Sequence, residues 1–281
     1  MAYVTKHLDW LSCSISQVGN PREIFPLLDW HYVGIGHHGY KARFECSKTG
    51  ASMETGSTDS SMGTHFAFSG DTLNALRRDY GGTDFGLVGH LIRAKAKASR
   101  IDLTINLHDY QLTPAIMRDA LRKGTCKAKA NVSRFIEGKN GDIEGDTLYI
   151  GSPTSDRQFR CYNKAVESGI VDRGAWVRLE LELRRVRADG AFRSCALNGT
   201  DETITGHMGD FIEWGNLDYQ AALAGASVPP VDIPRKDTNR QRWLLGQVAS
   251  ALAKEICVDE DFALKFWSSV GSEVAKIKTS E

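Results

Sequence analysis

Ser99-Arg-Ile-Asp-Leu-Thr-Ile-Asn-Leu107 places Ile101, Leu103, Ile105 and Leu107 on one side of an extended chain and Arg100, Asp102, Thr104 and Asn106 on the other. Alternation with a period of two is the pattern of a strand with one buried face. Trp176-Val-Arg-Leu-Glu-Leu-Glu-Leu-Arg184 repeats it. Val177, Leu179, Leu181 and Leu183 form its apolar side, and Arg178, Glu180, Glu182 and Arg184 its polar side. Thr147 to Lys164 reads as two short strands joined by a turn rich in Gly, Ser, Pro and Asp. In the second of these, Arg160, Tyr162 and Lys164 project from one face and Phe159 and Cys161 from the other.

Working outward, strands are expected over 7–16, 39–46, 63–69 and near 126–136, with a loop or hairpin over 47–62. Helices are expected over 20–30, 71–80 and 86–97. Another opens at Thr113-Pro114 by cap-plus-proline chemistry and closes at Gly124. Residues 186–222 read as helical with breaks, and 239–257 and 260–277 as helices. This order predicts an α+β fold, a mostly antiparallel central sheet flanked by helices, with a C-terminal helical extension. The expected organisation is one domain over 1–224, a proline-rich linker over 225–237 and a helical segment over 238–281.

The chain has 281 residues, 41% hydrophobic and 25% charged, with a formal net charge of zero. No apolar run approaches the ~20 residues of a membrane span, and the N-terminal stretch lacks the apolar centre of a signal peptide. Six cysteines lie far apart with no Cys-x-x-Cys pair. That argues for buried thiols in a reduced cytoplasm and against a disulfide or zinc scaffold. Basic residues concentrate over 77–100 and 118–134. They read either as solvated helix faces or as a groove that tracks phosphates. Gly34-Ile-Gly-His-His-Gly39 matches a dinucleotide-binding pattern, but a strand rather than a helix is expected after it, so it reads as a turn. His37 and His38 are adjacent and would face opposite ways on a strand. His65 and His108 sit on or beside central strands.

The polar faces are the candidate site. A tyrosine with a cation two residues away on each side suits a nucleophile for phosphate. Cations favour the phenolate and hold the phosphate, whereas free tyrosine, with a pKa near ~10, attacks poorly. Hard oxygen donors from Asp102, Glu180 and Glu182 suit Mg²⁺ or Mn²⁺, which would polarise the scissile phosphate. Each strand alone also reads as a charged, solvated face.

Asp9-Trp-Leu-Ser, Arg100 to Leu107, Thr147 to Glu167 and Trp176 to Arg184 resemble, in order and spacing, the replication initiation factors of rolling-circle plasmids and phages and related relaxases. The resemblance implies a sequence-specific DNA nickase and strand transferase. Tyr162 would be its nucleophile, forming a 5′-phosphotyrosyl intermediate, with Arg160 and Lys164 assisting. Asp102, Glu180 and Glu182 would be the Mg²⁺ or Mn²⁺ ligands. Arg157, Arg100, Arg178, Lys127 and Lys129 are assigned to DNA. An origin hairpin, single strand at the nick, host helicase and polymerase, and a homodimer are the implied partners, without a membrane, in the cytoplasm of a bacterial host. Two departures stand out: Asn106 where the family often has a second acid, and Pro153 where it often has a basic residue. The alternative reading is a non-catalytic regulator binding an origin or operator, and a third is an RNA-binding module.

Overall fold

Three neighbouring strands carry the alternation that decides the architecture, and they lie together at the middle of a ten-stranded sheet. The computed structural model describes residues 2–16, 21–26, 28–57, 59, 61–79, 82–138, 145–169, 175–215, 252–253, 255–256 and 260–278. The strands are β1 (Tyr3–Ile15), β2 (Trp30–Gly34), β3 (Ala42–Cys46), β4 (Ser52–Thr55), β5 (Thr64–Ser69), β6 (Lys97–His108), β7 (Lys127–Ala128), β8 (Ser133–Ile136), β9 (Thr147–Ile150), β10 (Arg157–Asn163), β11 (Trp176–Arg184) and β12 (Ile212–Glu213). The helices are α1 (Gly70–Asp79), α2 (Asp84–Arg93), α3 (Pro114–Lys123), α4 (Lys164–Glu167), α5 (Arg185–Asn198), α6 (Thr200–Phe211) and α7 (Glu260–Lys278). Strand order is β2-β3-β4-β5-β1-β6-β11-β10-β9-β8, and β12 pairs separately with β7. Every pairing is antiparallel. The fold is α+β, as expected. The chain divides into two compact units, Met1–Ile233 and Pro234–Glu281.

The apolar side of the sheet makes the core. Leu8, Leu11, Ile101, Leu103, Ile105, Phe159, Leu179, Leu181 and Leu183 are fully buried with Phe192 and Cys195 of α5 and Ile204, Met208 and Phe211 of α6. Each such side chain contributes about 1.5–3 kcal/mol of burial free energy. The five described cysteines are buried free thiols. No helix among the described residues is long and apolar enough to cross a membrane.

Local chemistry sets the element ends. Thr113 accepts a hydrogen bond from the Ile116 amide, Pro114 takes the first helical position, and Gly124 closes α3 at φ 71°. Gly151 turns the chain between β9 and β10 at φ 98°, where an added Cβ would lie 2.8 Å from the Arg157 carbonyl. One expectation fails. The helix over 20–30 is only the 3₁₀ turn Pro21–Glu23, and Trp30–Gly34 is instead an edge strand. Residues 47–62, expected as a loop or hairpin, form a hairpin: strand β4 turns back to pair antiparallel with β3. The glycine pattern over 34–39 forms the turn between β2 and β3, with no helix after it. The proline-rich segment and most of 239–257 lie outside the described residues.

Candidate nucleic-acid and catalytic site

Register builds the site. Across β1, β6, β11 and β10 the polar side chains align in rows: Tyr3, His108 and Trp176; then Thr5, Asn106, Arg178 and Tyr162; then His7, Thr104, Glu180 and Arg160; then Trp10, Asp102, Glu182 and Gln158. Arg178 stands directly opposite Tyr162. Neighbouring strands are about 4.8 Å apart and successive rows about 7 Å, so Tyr162 and Asp102, two strands and two rows apart, are linked through the side chains between them: Glu180, which accepts from Tyr162, and Arg160, which pairs with both Glu180 and Asp102.

Tyr162 is the last residue but one of β10, because Asn163 ends the strand and caps α4, accepting from the Val166 amide. Its hydroxyl donates to Glu180 Oε2 at 3.1 Å. Lys164, expected on the same strand face, instead begins α4. It pairs with Glu167 and lies 6.0 Å from the Tyr162 ring centre. Arg160 pairs with Glu180 and reaches Asp102 Oδ2 at 3.4 Å. The expectation that Arg160 and Lys164 lower the phenol's pKa is corrected. Burial, then the Glu180 carboxylate, pushes Tyr162 well above the ordinary tyrosine range, and Arg178 is the chief opposing cation.

The three acids are buried on the same face, Asp102 at 1% exposure. Each holds guanidinium. Arg100 grips Asp102 through two bonds of 2.9 and 2.6 Å and reaches Glu182 at 3.2 Å. Arg184 also binds Glu182. Burial first, then the Glu180 carboxyl, raises the Asp102 pKa against Arg100's pull. Among the described residues no three His, Cys, Asp or Glu side chains converge as a metal site, so the expected ligands as placed serve arginines. The donor set still suits a hard cation in kind. Thr104 Oγ1, between the Asp102 and Asn106 positions on β6, is buried without a hydrogen-bond partner among the described residues.

Asn106 explains its own departure from the family pattern. Its oxygen accepts from Trp176 Nε1 at 3.0 Å and Arg178 Nε at 2.9 Å, and its amide donates to Thr5 Oγ1 at 3.1 Å. A carboxylate could not donate that last bond. Arg178, 5% exposed, is therefore an internal cation, not a surface grip on DNA. Its second anchor is Asp9 Oδ2 at 2.8 Å. Sequence reasoning passed over Asp9 as a site residue. It occupies a bulge, where Leu8 pairs with Leu103 and Trp10 with Asp102, leaving Asp9 as the extra residue turned towards the site. Burial works to raise its pKa. His7, Arg178 and Lys164 together outweigh burial and hold it at about 2.

The remaining DNA candidates separate. Arg157 shares its sheet face with Phe159 and Cys161, opposite Tyr162, and binds Asp210 of α6 at 2.9 Å. Lys129 binds the same Asp210 at 2.5 Å, and Lys127 lies on β7. These three cannot hold the phosphate that Tyr162 meets. Arg100 stacks over Trp10 at 4.9 Å while pairing the acids. His65 bonds Ser14 at 3.1 Å and stacks on Tyr40. His37 bonds the buried Glu54 at 2.7 Å.

The fold resembles a known class. The family model of the replication initiation factors (Rep_trans) matches residues 96–205, the span of β6 to α6. The expected resemblance to that family holds. The solved structure of a rolling-circle replication initiator protein from Geobacillus stearothermophilus aligns with a TM-score of 0.65 at 22% identity, covering 75% of this chain and 86% of that one. At that identity the likeness establishes the fold. No curated protein matches the chain.

Proposed function

We propose that this protein initiates rolling-circle replication of a phage or plasmid in the bacterial cytoplasm, nicking and rejoining one strand of origin DNA through Tyr162. The observation that carries the reading is the Tyr162 hydroxyl bonded at 3.1 Å to Glu180, beside a buried lattice of acids and arginines.

A phenol whose pKa is raised enters the reaction protonated. Glu180 accepts its proton as the Oη–phosphorus bond forms, and Arg178 steadies the negative charge developing on the ring oxygen. The 3′ oxygen leaves and takes a proton from water, giving a 5′-phosphotyrosyl ester and a free 3′-OH for host polymerase. Rejoining reverses these bonds. Arg160, one row along β10 from Tyr162 and partly exposed, offers a guanidinium to the phosphate oxygens. Asp102, Glu180 and Glu182 are the residues that would hold Mg²⁺ or Mn²⁺, and such an ion supplies a Lewis acid for the phosphate.

The test is nicking of a supercoiled plasmid bearing the cognate origin, with Mn²⁺. Tyr162→Phe should abolish it while the protein still unfolds in one cooperative thermal transition. Undiminished nicking removes Tyr162 from the chemistry. A second reading, a non-catalytic DNA-binding regulator, draws on the arginine pairing of every buried acid. Calorimetry separates the two, since a regulator takes up no Mn²⁺ while the enzyme binds it at these acids.

A further inference from the structure

We infer that Tyr3, His108 and Trp176 form a stacking platform that receives an unpaired base of single-stranded DNA a few nucleotides from the scissile phosphate. This rests on the nicking reading and extends it to how the strand is held.

The three rings come from three adjacent strands and share one row of the sheet. Tyr3 and His108 lie 4.2 Å apart with planes 7° from parallel, and His108 and Trp176 lie 5.3 Å apart at 24°. The row is on the face of Tyr162, because Trp176 Nε1 bonds Asn106, which also holds Arg178. One row, about 7 Å, separates the platform from the nucleophile's row. Tyr3 is 53% exposed, although its neighbour on one side is a parallel ring. A tyrosine that served only to close the core would bury that area. An outward ring in a ready-made parallel stack matches a flat aromatic ligand, and an unstacked base is the one that a nicking site provides. Stacking tolerates any base, so the platform would set the strand's path without reading its sequence.

The test uses the full chain and a fluorescein-labelled oligothymidylate, read by anisotropy without metal, so that no nicking is needed. Tyr3→Ala should weaken binding roughly 5- to 150-fold, the equivalent of one lost base stack. Tyr3→Phe should bind as the parent does. Tyr3→Trp should bind as well and lose emission when the oligonucleotide is added. Unchanged affinity in Tyr3→Ala overturns the platform, as does a Tyr3→Trp emission indifferent to DNA. The two proposals fail separately. Binding that depends on Tyr3 with nicking indifferent to Tyr162 removes only the nucleophile. Nicking that needs Tyr162 with binding indifferent to Tyr3 removes only the platform.

Discussion

His207 of α6 should make the fold sensitive to mild acid. The ring is 7% exposed, and its Nε2 has no hydrogen-bond partner among the described residues. Burial first, then the Arg157 and Arg187 charges, depress its pKa to about 4 from an ordinary 6.5, with Asp210 pulling the other way. The unfolded chain therefore takes up this proton earlier than the folded one. Stability from the neutral ring is complete above pH 6.5, falls as pH drops towards about 4, and is level below it. Between pH 7.5 and pH 4.5 the loss from this one ring is about 2–3 kcal/mol, at 1.36 kcal/mol per pKa unit. Other groups titrate in the same window, so the measurement is a difference. Urea unfolding of the parent and of His207→Phe at both pH values should show the variant losing about 2–3 kcal/mol less on acidification. Proton NMR of the imidazole should show no titration above pH 5. A midpoint near 6.5, or parallel pH slopes for the two proteins, would refute the reasoning.

Asp9→Asn removes a carboxylate held at about 2 by His7, Arg178 and Lys164 against burial. Its stabilisation is present above the usual aspartate value and lost as pH falls through about 2. The variant should be about 1–2 kcal/mol weaker at pH 7, a figure discounted for a quarter-exposed side chain, and equal to the parent near pH 2. Nicking should fall too, since Arg178 loses an anchor opposite Tyr162. Leu103→Ala, at a fully buried position in the central strand, should cost about 2–5 kcal/mol in urea unfolding.

The parts of this fold that the chain announces are those governed by local rules. Alternation in β6, β10 and β11 gave the sheet its middle, and Thr113, Pro114 and Gly124 bounded α3 by capping alone. The edge strand β2 escaped, and β4 reads only as part of a loop or hairpin, because both are short and bordered by turn residues. Pro21 there invited a helix that ends after three residues. The face of Arg157 was legible, since it shares parity with Phe159 and Cys161. Grouping it with Arg160 by proximity along the chain overrode the period of two.

The chemistry of the site was less legible than its members, because it depends on register between strands distant in sequence. Nothing in Arg178 or Tyr162 alone says that they stand opposite each other, or that Asn106 lies beyond. A one-residue slip of β11 would turn Glu180 and Glu182 into the core and present leucines to Tyr162. Register also explains why the cations flanking Tyr162 in sequence are not those that act on it. Its sequence neighbours are committed, Arg160 to Glu180 and Asp102, and Lys164, in α4, to Glu167, while the cross-strand Arg178 faces it. The bulge at Asp9 is the same lesson reversed. An extra residue shifts the alternation within β1, and that shift turns a carboxylate towards Arg178. The irregularity that hides the residue from pattern reading is therefore what sets it beside the nucleophile.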